Sequence, residues 1–241
     1  NAIGLQGVGV HRFIREYLPQ LQNSGAVTIV NICGTTIEEY EELTRILSDV
    51  EGVAAIELNI SCPNIKAGGI TFGCNLAGTH DVVQAAKRAT HLPVIPKLTP
   101  NVTDIASFAR VAEEAGADAV SLVNTFLAMS IDVETRRSRL ANVVGGLSGP
   151  AIRPIAVRMV YECHQAVSIP IIGMGGITTA NDVLEFMIAG ASAVQVGTAN
   201  FVDPYIWKKL MVGLNNYLEK HEIKRLRDII GTLEVDLAEE A

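Results

Sequence analysis

Short apolar segments of strand length alternate along the chain with longer amphipathic segments that have helical spacing. The short segments are rich in Val and Ile and mostly apolar at successive positions, which is typical of strands buried on both faces of a parallel sheet. Six such strands are predicted, at residues 27–32, 53–60, 93–98, 118–124, 169–174 and 193–197. The alternation of strands with helices predicts an α/β fold.

A weak internal repeat narrows the fold class. The segment AGADAVSLVNT at 115–125 resembles AGASAVQVGTA at 189–199, and each combines a helix end, a glycine and a strand. Repeated βα units favour a (β/α)8 TIM barrel over a doubly wound sheet, and no G-x-G-x-x-G follows the first strand as a Rossmann fold would require. A barrel needs eight strands, so the first two are expected upstream of Asn1. We therefore expect residues 1–241 to form a single, N-terminally incomplete (β/α) barrel domain.

Polar residues in front of several amphipathic segments predict where helices begin. Thr35 and Glu38 fit a capping box for a helix at 37–47. Thr103 and Thr179 are the predicted N-caps of two later helices. A capping hydroxyl satisfies backbone N–H groups that have no partner inside the helix.

The connection between the fourth and fifth predicted strands is unusually long. It spans residues 125–149, contains several arginines and ends in the glycine-rich sequence GGLSG. Connections of this length are often functional, and a plain surface excursion is the alternative.

Composition excludes several classes of protein. The chain has 241 residues, of which 49% are hydrophobic and 19% charged, so an intrinsically disordered chain is excluded. No apolar run reaches the roughly 18 residues that a membrane span needs, so no membrane partner is expected. Four irregularly spaced cysteines argue against a disulfide scaffold and a structural metal site, and they favour a reducing, cytoplasmic location. The net charge of −7 argues against a nucleic-acid partner.

Polar side chains end several of the predicted strands. In TIM barrels the active site lies at the carboxyl ends of the strands, so side chains at these positions should meet on one face. Asparagine is common where strands end, but that explains only part of the pattern. The residues concerned are Asn31, Asn59, Lys97, Asn124 and Thr125.

Two glycine-rich turns follow the last two predicted strands. GMGGITTAND and VGTANF each lie between a strand and a helix. Glycine lets backbone N–H groups approach a ligand closely, and a helix N-terminus favours an anion. Because phosphate sites after the last two barrel strands are frequent, the pair of turns predicts a phosphate site, with plain turns as the alternative.

Lys97 lies in an otherwise apolar strand. A lysine at such a position needs an anionic partner, because burying an unpaired charge is costly. It could form a Schiff base, stand beside an electron-rich cofactor, or form a structural salt bridge. The neighbouring asparagines favour the cofactor, since amides bind the edge of a flat heterocycle without acid–base chemistry.

Cys62 lies in a polar loop just after a strand and could act as a nucleophile or as a general base. A nucleophilic cysteine usually needs a nearby histidine. The histidines fall in predicted helices or helix ends away from the strand ends, which weakens a Cys–His hydrolase and leaves the role of base. They are His11, His80, His91, His164 and His221.

A series of motifs along nearly the whole chain resembles a known family. In order, these motifs are NAIGLQ, ELNISCPN, KLTPNVTD, VNT, GGLSGPAI, GMGGI and VGTANF. Together they resemble the catalytic subunits of class 1 dihydroorotate dehydrogenases, most closely the class 1B, NAD-linked form. The resemblance implies an FMN-containing barrel that oxidises dihydroorotate to orotate in pyrimidine biosynthesis.

The resemblance also implies roles for individual residues. Cys62 would remove the C5 proton of dihydroorotate, the C6 hydride would pass to the flavin N5, and Lys97 would stabilise the negative charge of the reduced isoalloxazine. The residues implied to hold the substrate are Asn1, Ala2, Ile3, Gly4, Leu5, Asn59, Asn64, Asn124 and Thr125. Those implied to contact FMN are Asn31, Asn59, Lys97, Val123, Gly149, Gly175, Gly176, Gly197 and Thr198. The glycine-rich loop from Cys62 to Gly73 is expected to act as a lid.

Partners follow from the resemblance as well. Class 1B catalytic subunits form homodimers that assemble with a subunit carrying FAD and a [2Fe–2S] cluster, giving a heterotetramer. The cysteines here do not form a cluster motif, so iron–sulfur chemistry is expected only on the partner. The family's serine and lysine from the first two barrel strands have no counterpart in this chain.

Four alternatives remain open from sequence. They are a class 1A, fumarate-linked dihydroorotate dehydrogenase, an enzyme resembling dihydropyrimidine dehydrogenase, a cofactor-free phosphosugar isomerase or lyase barrel, and a non-catalytic barrel fragment. The first two share the flavin chemistry, whereas the third would use Lys97 and the phosphate turns directly.

Overall fold

The computed structural model describes residues 1–4, 6–61 and 72–235. The strands are β1 (Thr28–Ile32), β2 (Val53–Asn59), β3 (Val94–Lys97), β4 (Val120–Leu122), β5 (Phe126–Met129), β6 (Ile131–Asp132), β7 (Arg137–Ser138), β8 (Val144–Leu147), β9 (Ile171–Met174) and β10 (Ala193–Gln195). The helices are α1 (Val10–Arg12), α2 (Leu18–Asn23), α3 (Ile37–Ser48), α4 (Leu76–Arg88), α5 (Ile105–Glu114), α6 (Arg153–His164), α7 (Ala180–Ile188), α8 (Thr198–Val202) and α9 (Ile206–Lys220). A π-helix spans Phe13–Tyr17, and 3-10 helices span Phe72–Cys74, Pro150–Ile152 and Leu226–Ile229.

All six predicted strands are confirmed and form one parallel sheet in the order β1-β2-β3-β4-β9-β10. Each new strand is added beside the preceding one, with helices in the connections, as expected of consecutive βα units. The sheet is curled like half a barrel, which confirms the predicted α/β barrel class. Among the described residues no strand pairing joins β10 to β1. The assignment of residues 1–241 to one domain stays a prediction.

The concave face of the sheet carries two layers of side chains. The lower layer is apolar, because Ala55, Ile95 and Ala119 pack together with Ile172. Residues i and i+2 of a strand lie on the same face, and two residues further along β2, β3 and β4 this face is polar, whereas β9 carries Met174 there. This upper layer contains Asn31, Glu57, Lys97, Ser121 and Gln195. The polar layer therefore lies at the carboxyl ends of the strands, where barrel active sites lie.

The convex face of the sheet packs against the helices. Ile56, Leu58, Val94 and Leu122 are fully buried there in the main core. Burial of such a side chain stabilises the fold by about 1.5–3 kcal/mol. This core holds the strands whose ends form the polar layer.

Two of the three predicted helix caps are wrong by one residue. Thr36, not Thr35, caps α3 by accepting from the N–H of Glu39, while the Glu39 carboxylate accepts from Thr35. Asp104, not Thr103, caps α5 through the N–H of Ser107. Thr179 is confirmed as the cap of α7 and forms a capping box with Asp182.

The long connection folds into two antiparallel ribbons. β5 pairs with β8, and β6 pairs with β7 at the far end. The β5–β8 pair brings Gly146 beside Asn1, whose carbonyl accepts from the Gly146 N–H at 2.7 Å. The connection therefore contributes to the surroundings of the strand ends.

No described helix combines the length and the apolar character that crossing a bilayer requires. Within the same described residues, no cluster of three or more His, Cys, Asp or Glu side chains is arranged to hold a metal ion.

Candidate active site

Two adjoining cavities open at the carboxyl ends of the parallel strands. The first, here called the glycine cavity, has a volume of about 460 Å³ and is lined by Val123, Gly149, Gly175, Gly176, Gly197 and Thr198, among others. The second, the amide cavity, has a volume of about 610 Å³ and is lined by Asn1, Ala2, Ile3, Gly4, Asn31, Glu57, Asn59 and Ser61, among others. Lys97, Asn124, Thr125 and Gln195 line both. Both volumes lie in the range of roughly 300–1,000 Å³ that is usual for small-molecule sites.

At two glycines in the wall of the glycine cavity, Gly175 and Gly176, a side chain does not fit. Gly176 has a φ of +75°, and a Cβ at this residue would lie 2.6 Å from the carbonyl oxygen of Gly149. At Gly175, with a φ of +135°, a Cβ would lie 2.9 Å from that of Ala156. The hydroxyl of Thr198 donates to Ser148 at 2.9 Å and brings the turn after β10 against the segment that precedes Gly149.

The backbone N–H groups of this wall are available to a ligand. Among the described residues, Gly176, Gly197 and Thr198 have no protein acceptor for their N–H groups. The start of α7 is different, since the Asp182 carboxylate accepts from the N–H groups of Thr178 and Thr179 at 2.8 Å. The first N–H groups at α7 are therefore taken by Asp182, whereas those of Gly197 and Thr198 at the start of α8 stay free among the described residues.

Asp182 fixes the turn that leads into α7. Its side chain is 3% exposed, and it also forms an ion pair with Arg153 of α6. Burial acts to raise the pKa of Asp182, but the hydrogen bonds from Thr178 and Thr179 and the charge of Arg153 outweigh burial and hold that pKa below its ordinary value.

Lys97 is half-buried at the junction of the two cavities. In the described part of the chain its ammonium group has no hydrogen bond or ion pair. The structural salt bridge considered from sequence is thus not found among these residues. An unpaired ammonium between two cavities favours binding of an anionic or electron-rich group.

The amide cavity is organised by hydrogen bonds around Asn59, which is 6% exposed. Its Oδ1 atom accepts from the Ser61 hydroxyl at 3.1 Å and from the Asn124 side chain at 3.3 Å. Asn124 also donates to Ser61, and its Oδ1 accepts from the N–H of Thr125 at 2.7 Å. These contacts hold the strand-end amides in fixed orientations.

The N-terminal segment also lines the amide cavity. Asn1, Ala2, Ile3 and Gly4 line it, and the Asn1 side chain donates to the carbonyl of Gly146 at 3.3 Å. The structure therefore brings this segment together with the strand ends, as expected from the sequence.

Comparison with known proteins decides the family. Residues 1–218 match the profile of the family described as Dihydroorotate dehydrogenase. The chain belongs to the dihydroorotate dehydrogenase family. It is an enzyme of that type, and the resemblance inferred from the motifs is confirmed.

Curated relatives within this family are about half identical to the chain. A protein from Bacteroides thetaiotaomicron, named dihydroorotate dehydrogenase B (NAD(+)), catalytic subunit, is 51% identical over 235 residues, covering 98% of this chain and 78% of the relative. A protein of the same name from Pelobacter propionicus is 52% identical over 234 residues, covering 97% and 77%. One from Citrifermentans bemidjiense is 52% identical over 235 residues, covering 98% and 77%. These names favour the class 1B form over the alternatives weighed from sequence.

Three site residues expected for a dihydroorotate dehydrogenase lie outside the described residues. They are Leu5, Cys62 and Asn64, and the predicted lid from Cys62 also falls there, except for its last two residues, Phe72 and Gly73. Gly73 is anchored, because its N–H donates to the carbonyl of Ile60 at 2.9 Å.

The remaining cysteines and the histidines do not supply an alternative dyad in the described residues. Burial raises the pKa of Cys163 to about 12, so its thiol is inert at neutral pH. Cys74 lines the amide cavity, but no histidine lines either cavity in the described part of the chain.

Sequence reasoning missed three polar residues of the upper layer. Glu57, Ser121 and Gln195 lie in strands that read as apolar, and Glu57 makes hydrogen bonds across the sheet to both of the others. The available signal was spacing, since Glu57 precedes Asn59 by two positions and therefore shares its face of β2.

Proposed function

We propose that this dihydroorotate dehydrogenase oxidises dihydroorotate to orotate with FMN in the glycine cavity and the pyrimidine in the amide cavity. The observation that carries the proposal is Lys97, an ammonium without a protein partner in the described residues, at the junction of the two cavities. One cavity offers backbone N–H groups and the other offers oriented amides. Together they fit a phosphorylated, electron-rich cofactor beside a small polar ring.

The residues of the glycine cavity fit FMN. Side chains are excluded at Gly175 and Gly176, and the lining residues Gly176, Gly197 and Thr198 have N–H groups without an acceptor among the described residues, which supports a phosphate ligand. The residues that would hold the ribityl-phosphate arm are Gly149, Gly175, Gly176, Gly197 and Thr198. Those that would hold the flavin ring are Lys97 and Val123 of the glycine cavity together with Asn31 and Asn59 of the amide cavity, so the ring would reach across the junction of the two cavities. A bound flavin supplies the hydride-accepting chemistry that protein side chains lack.

The residues of the amide cavity bind and orient the substrate. Asparagine side chains offer both donors and acceptors, which match the ring amides and carboxylate of dihydroorotate. The residues assigned to this role are Asn1, Ala2, Ile3, Gly4, Leu5, Asn59, Asn64, Asn124 and Thr125. Because Asn59 and Asn124 are hydrogen-bonded to each other, their orientation is fixed before the substrate binds.

Cys62 removes the C5 proton of the substrate. It follows Ser61, which is bonded to Asn59 and Asn124 at the edge of the amide cavity. A positioned base contributes about 10²–10⁴-fold to such a proton transfer. The lid function of the loop from Cys62 to Gly73 belongs to the same proposal, since exclusion of water would protect the transfer.

Electrons leave the subunit through a partner. We assign the protein to the class 1B form, in which a homodimer binds a subunit carrying FAD and a [2Fe–2S] cluster, and NAD is the final acceptor. The relatives' printed name, catalytic subunit of an NAD(+)-linked enzyme, supports this assignment. A cytoplasmic location follows from the nature of the pathway and its soluble acceptor.

The test is an anaerobic titration of the purified protein with dihydroorotate, followed by visible absorbance. We expect a flavin band that bleaches in proportion to added dihydroorotate, with orotate as the product in the supernatant. A flavin-loaded protein whose band is unchanged by dihydroorotate would refute the substrate assignment. Protein that binds no FMN when FMN is supplied would refute the cofactor assignment.

A further inference from the structure

Glu57 is a buried carboxylate in the polar layer and is 4% exposed. One carboxylate oxygen accepts from the Ser121 hydroxyl at 2.7 Å and from the Gln195 side-chain NH2 at 2.8 Å. The other accepts from the Asn31 side-chain NH2 at 2.5 Å. A single side chain on β2 thus bonds residues of β1, β4 and β10.

All the contacts of Glu57 are with donors. In the described residues it has no ion pair, and each of its partners offers an O–H or N–H group. Both carboxyl oxygens of Glu57 act as acceptors here. Three hydrogen bonds from three different strands hold the side chain in one orientation.

The contacts of Glu57 set the direction of two carboxamides. Each of Asn31 and Gln195 turns its NH2 group towards Glu57, so its carbonyl oxygen points elsewhere. Neither carbonyl oxygen accepts a hydrogen bond from the described protein, and both residues line the amide cavity. Gln195 also lines the glycine cavity.

We propose that Glu57 is a positioning residue that makes Asn31 and Gln195 present hydrogen-bond acceptors, rather than donors, to the ring bound in these cavities. The site would then select planar heterocycles that carry N–H donors, such as a cyclic imide or ureide. The identity of the ring rests on the proposed function, because both the flavin and dihydroorotate carry such an N–H group. The orientation of the two amides does not depend on it.

The discriminating variant is Glu57→Gln, which has nearly the same shape but one acceptor and one NH2 group. At most one of the two neighbouring amides can then keep its NH2 turned inward, so the other should turn its oxygen to residue 57 and its NH2 to the cavity. Ser121→Ala is the matched control, because it removes one donor to Glu57 without affecting how the amides turn.

Binding measurements on the apoprotein would use FMN against its N3-methyl derivative, and orotate against its N-methyl derivatives. Wild type should prefer the N–H form of at least one ring by about tenfold, the equivalent of one hydrogen bond worth about 1.4 kcal/mol. Glu57→Gln should lose most of this preference, and Ser121→Ala should keep it. The two ligand pairs show which ring the acceptors contact. A folded Glu57→Gln protein with the wild-type preference would overturn the proposal.

A ligand-free measurement separates this proposal from the proposed function. NMR hydrogen exchange of the side-chain NH2 groups should show those of Asn31 and Gln195 protected in wild type, and one of them exchanging faster in Glu57→Gln. Rapid exchange of both in wild type would overturn the inference even if flavin binds. Conversely, failure of wild type to bind both FMN and orotate would contradict the proposed function and leave the exchange result to decide the role of Glu57. If Glu57→Gln does not fold, the wild-type exchange and the wild-type N–H preference decide the matter.

Discussion

The glycines of the glycine cavity differ in why a side chain is absent. At Gly176 the positive φ and the nearby Gly149 carbonyl exclude a side chain. A Cβ at Gly197, whose φ is −99°, would meet no atom within 4 Å.

We expect Gly176→Ala to lower the free energy of unfolding by about 2 kcal/mol. Gly197→Ala should change it by about 0.5 kcal/mol or less but weaken FMN binding about tenfold, because its methyl group enters the cavity. Calorimetry and FMN titration of the apoproteins measure the two effects, and full FMN affinity in Gly197→Ala would contradict the assignment of this wall.

Lys97 is expected to act through its charge. Replacement by Met keeps most of the apolar stem but removes the cation between the cavities. Loss of one electrostatic contact to developing negative charge typically costs about 10²–10³-fold in rate, so Lys97→Met should slow anaerobic flavin reduction by about that factor. Stopped-flow absorbance after mixing with dihydroorotate measures it. An equal loss in Lys97→Arg would argue for shape rather than charge.

Cys62 is expected to affect proton removal and leave flavin binding intact. Cys62→Ala should retain FMN, because Cys62 is assigned to the substrate side, while flavin reduction slows by about 10²–10⁴-fold. The deuterium isotope effect for dihydroorotate labelled at C5 would show whether the slowed step is proton abstraction. Unchanged reduction kinetics would assign the base to another group.

The strands were easier to predict than the contacts between them. Val94 and Leu122 belong to segments whose continuous apolar character follows from burial on both faces, and such patterns are local. The helix caps were misplaced where two candidates are adjacent, as at Thr35 and Thr36, because a one-residue shift leaves the pattern almost unchanged. The spacing from Asn59 gives the face of Glu57, but its partners on β4 and β10 could not be predicted from sequence, since they come near only when the sheet curls.

The start of α7 should make stability depend on pH. The pKa of Asp182 is lowered in the folded protein, so its contribution is complete above the ordinary carboxyl pKa of about 3.9 and is lost as pH falls through the lower folded value. Asp182→Asn should lower the free energy of unfolding at neutral pH by about 2–3 kcal/mol, because Arg153 loses its buried partner and keeps only the more exposed Glu185. Below about pH 4 the difference from wild type should shrink. Urea unfolding across this pH range measures it, with the exposed Asp49→Asn as control. If wild type and Asp182→Asn differed by the same free energy of unfolding at every pH, the lowered pKa assigned to Asp182 would be contradicted.

The apolar and polar layers inside the curled sheet have different roles. The lower layer, including Ile95, packs the interior, and the upper layer, including Glu57 and Lys97, faces the cavities. Because the polar positions are few and interleaved with core residues, the strands read as mostly apolar in sequence, and only Asn31 and Lys97 of the upper layer were recognised. The asparagines and glycines just beyond the strands were recognised because ends of segments stand out. Sequence thus located the rim of the site more readily than its floor.

At the scale of the assembly, substrate oxidation and NAD reduction should be separable. The catalytic chain alone should reduce its flavin with dihydroorotate, since Lys97 and the substrate residues lie in this chain. NADH should form only when the FAD and [2Fe–2S] subunit is added, because the groups that carry electrons to NAD are assigned to that subunit. Measurement of NADH formation with and without the co-expressed partner checks this. Steady turnover by the chain alone with fumarate would instead assign it to the class 1A form, and the bleaching experiment would still hold.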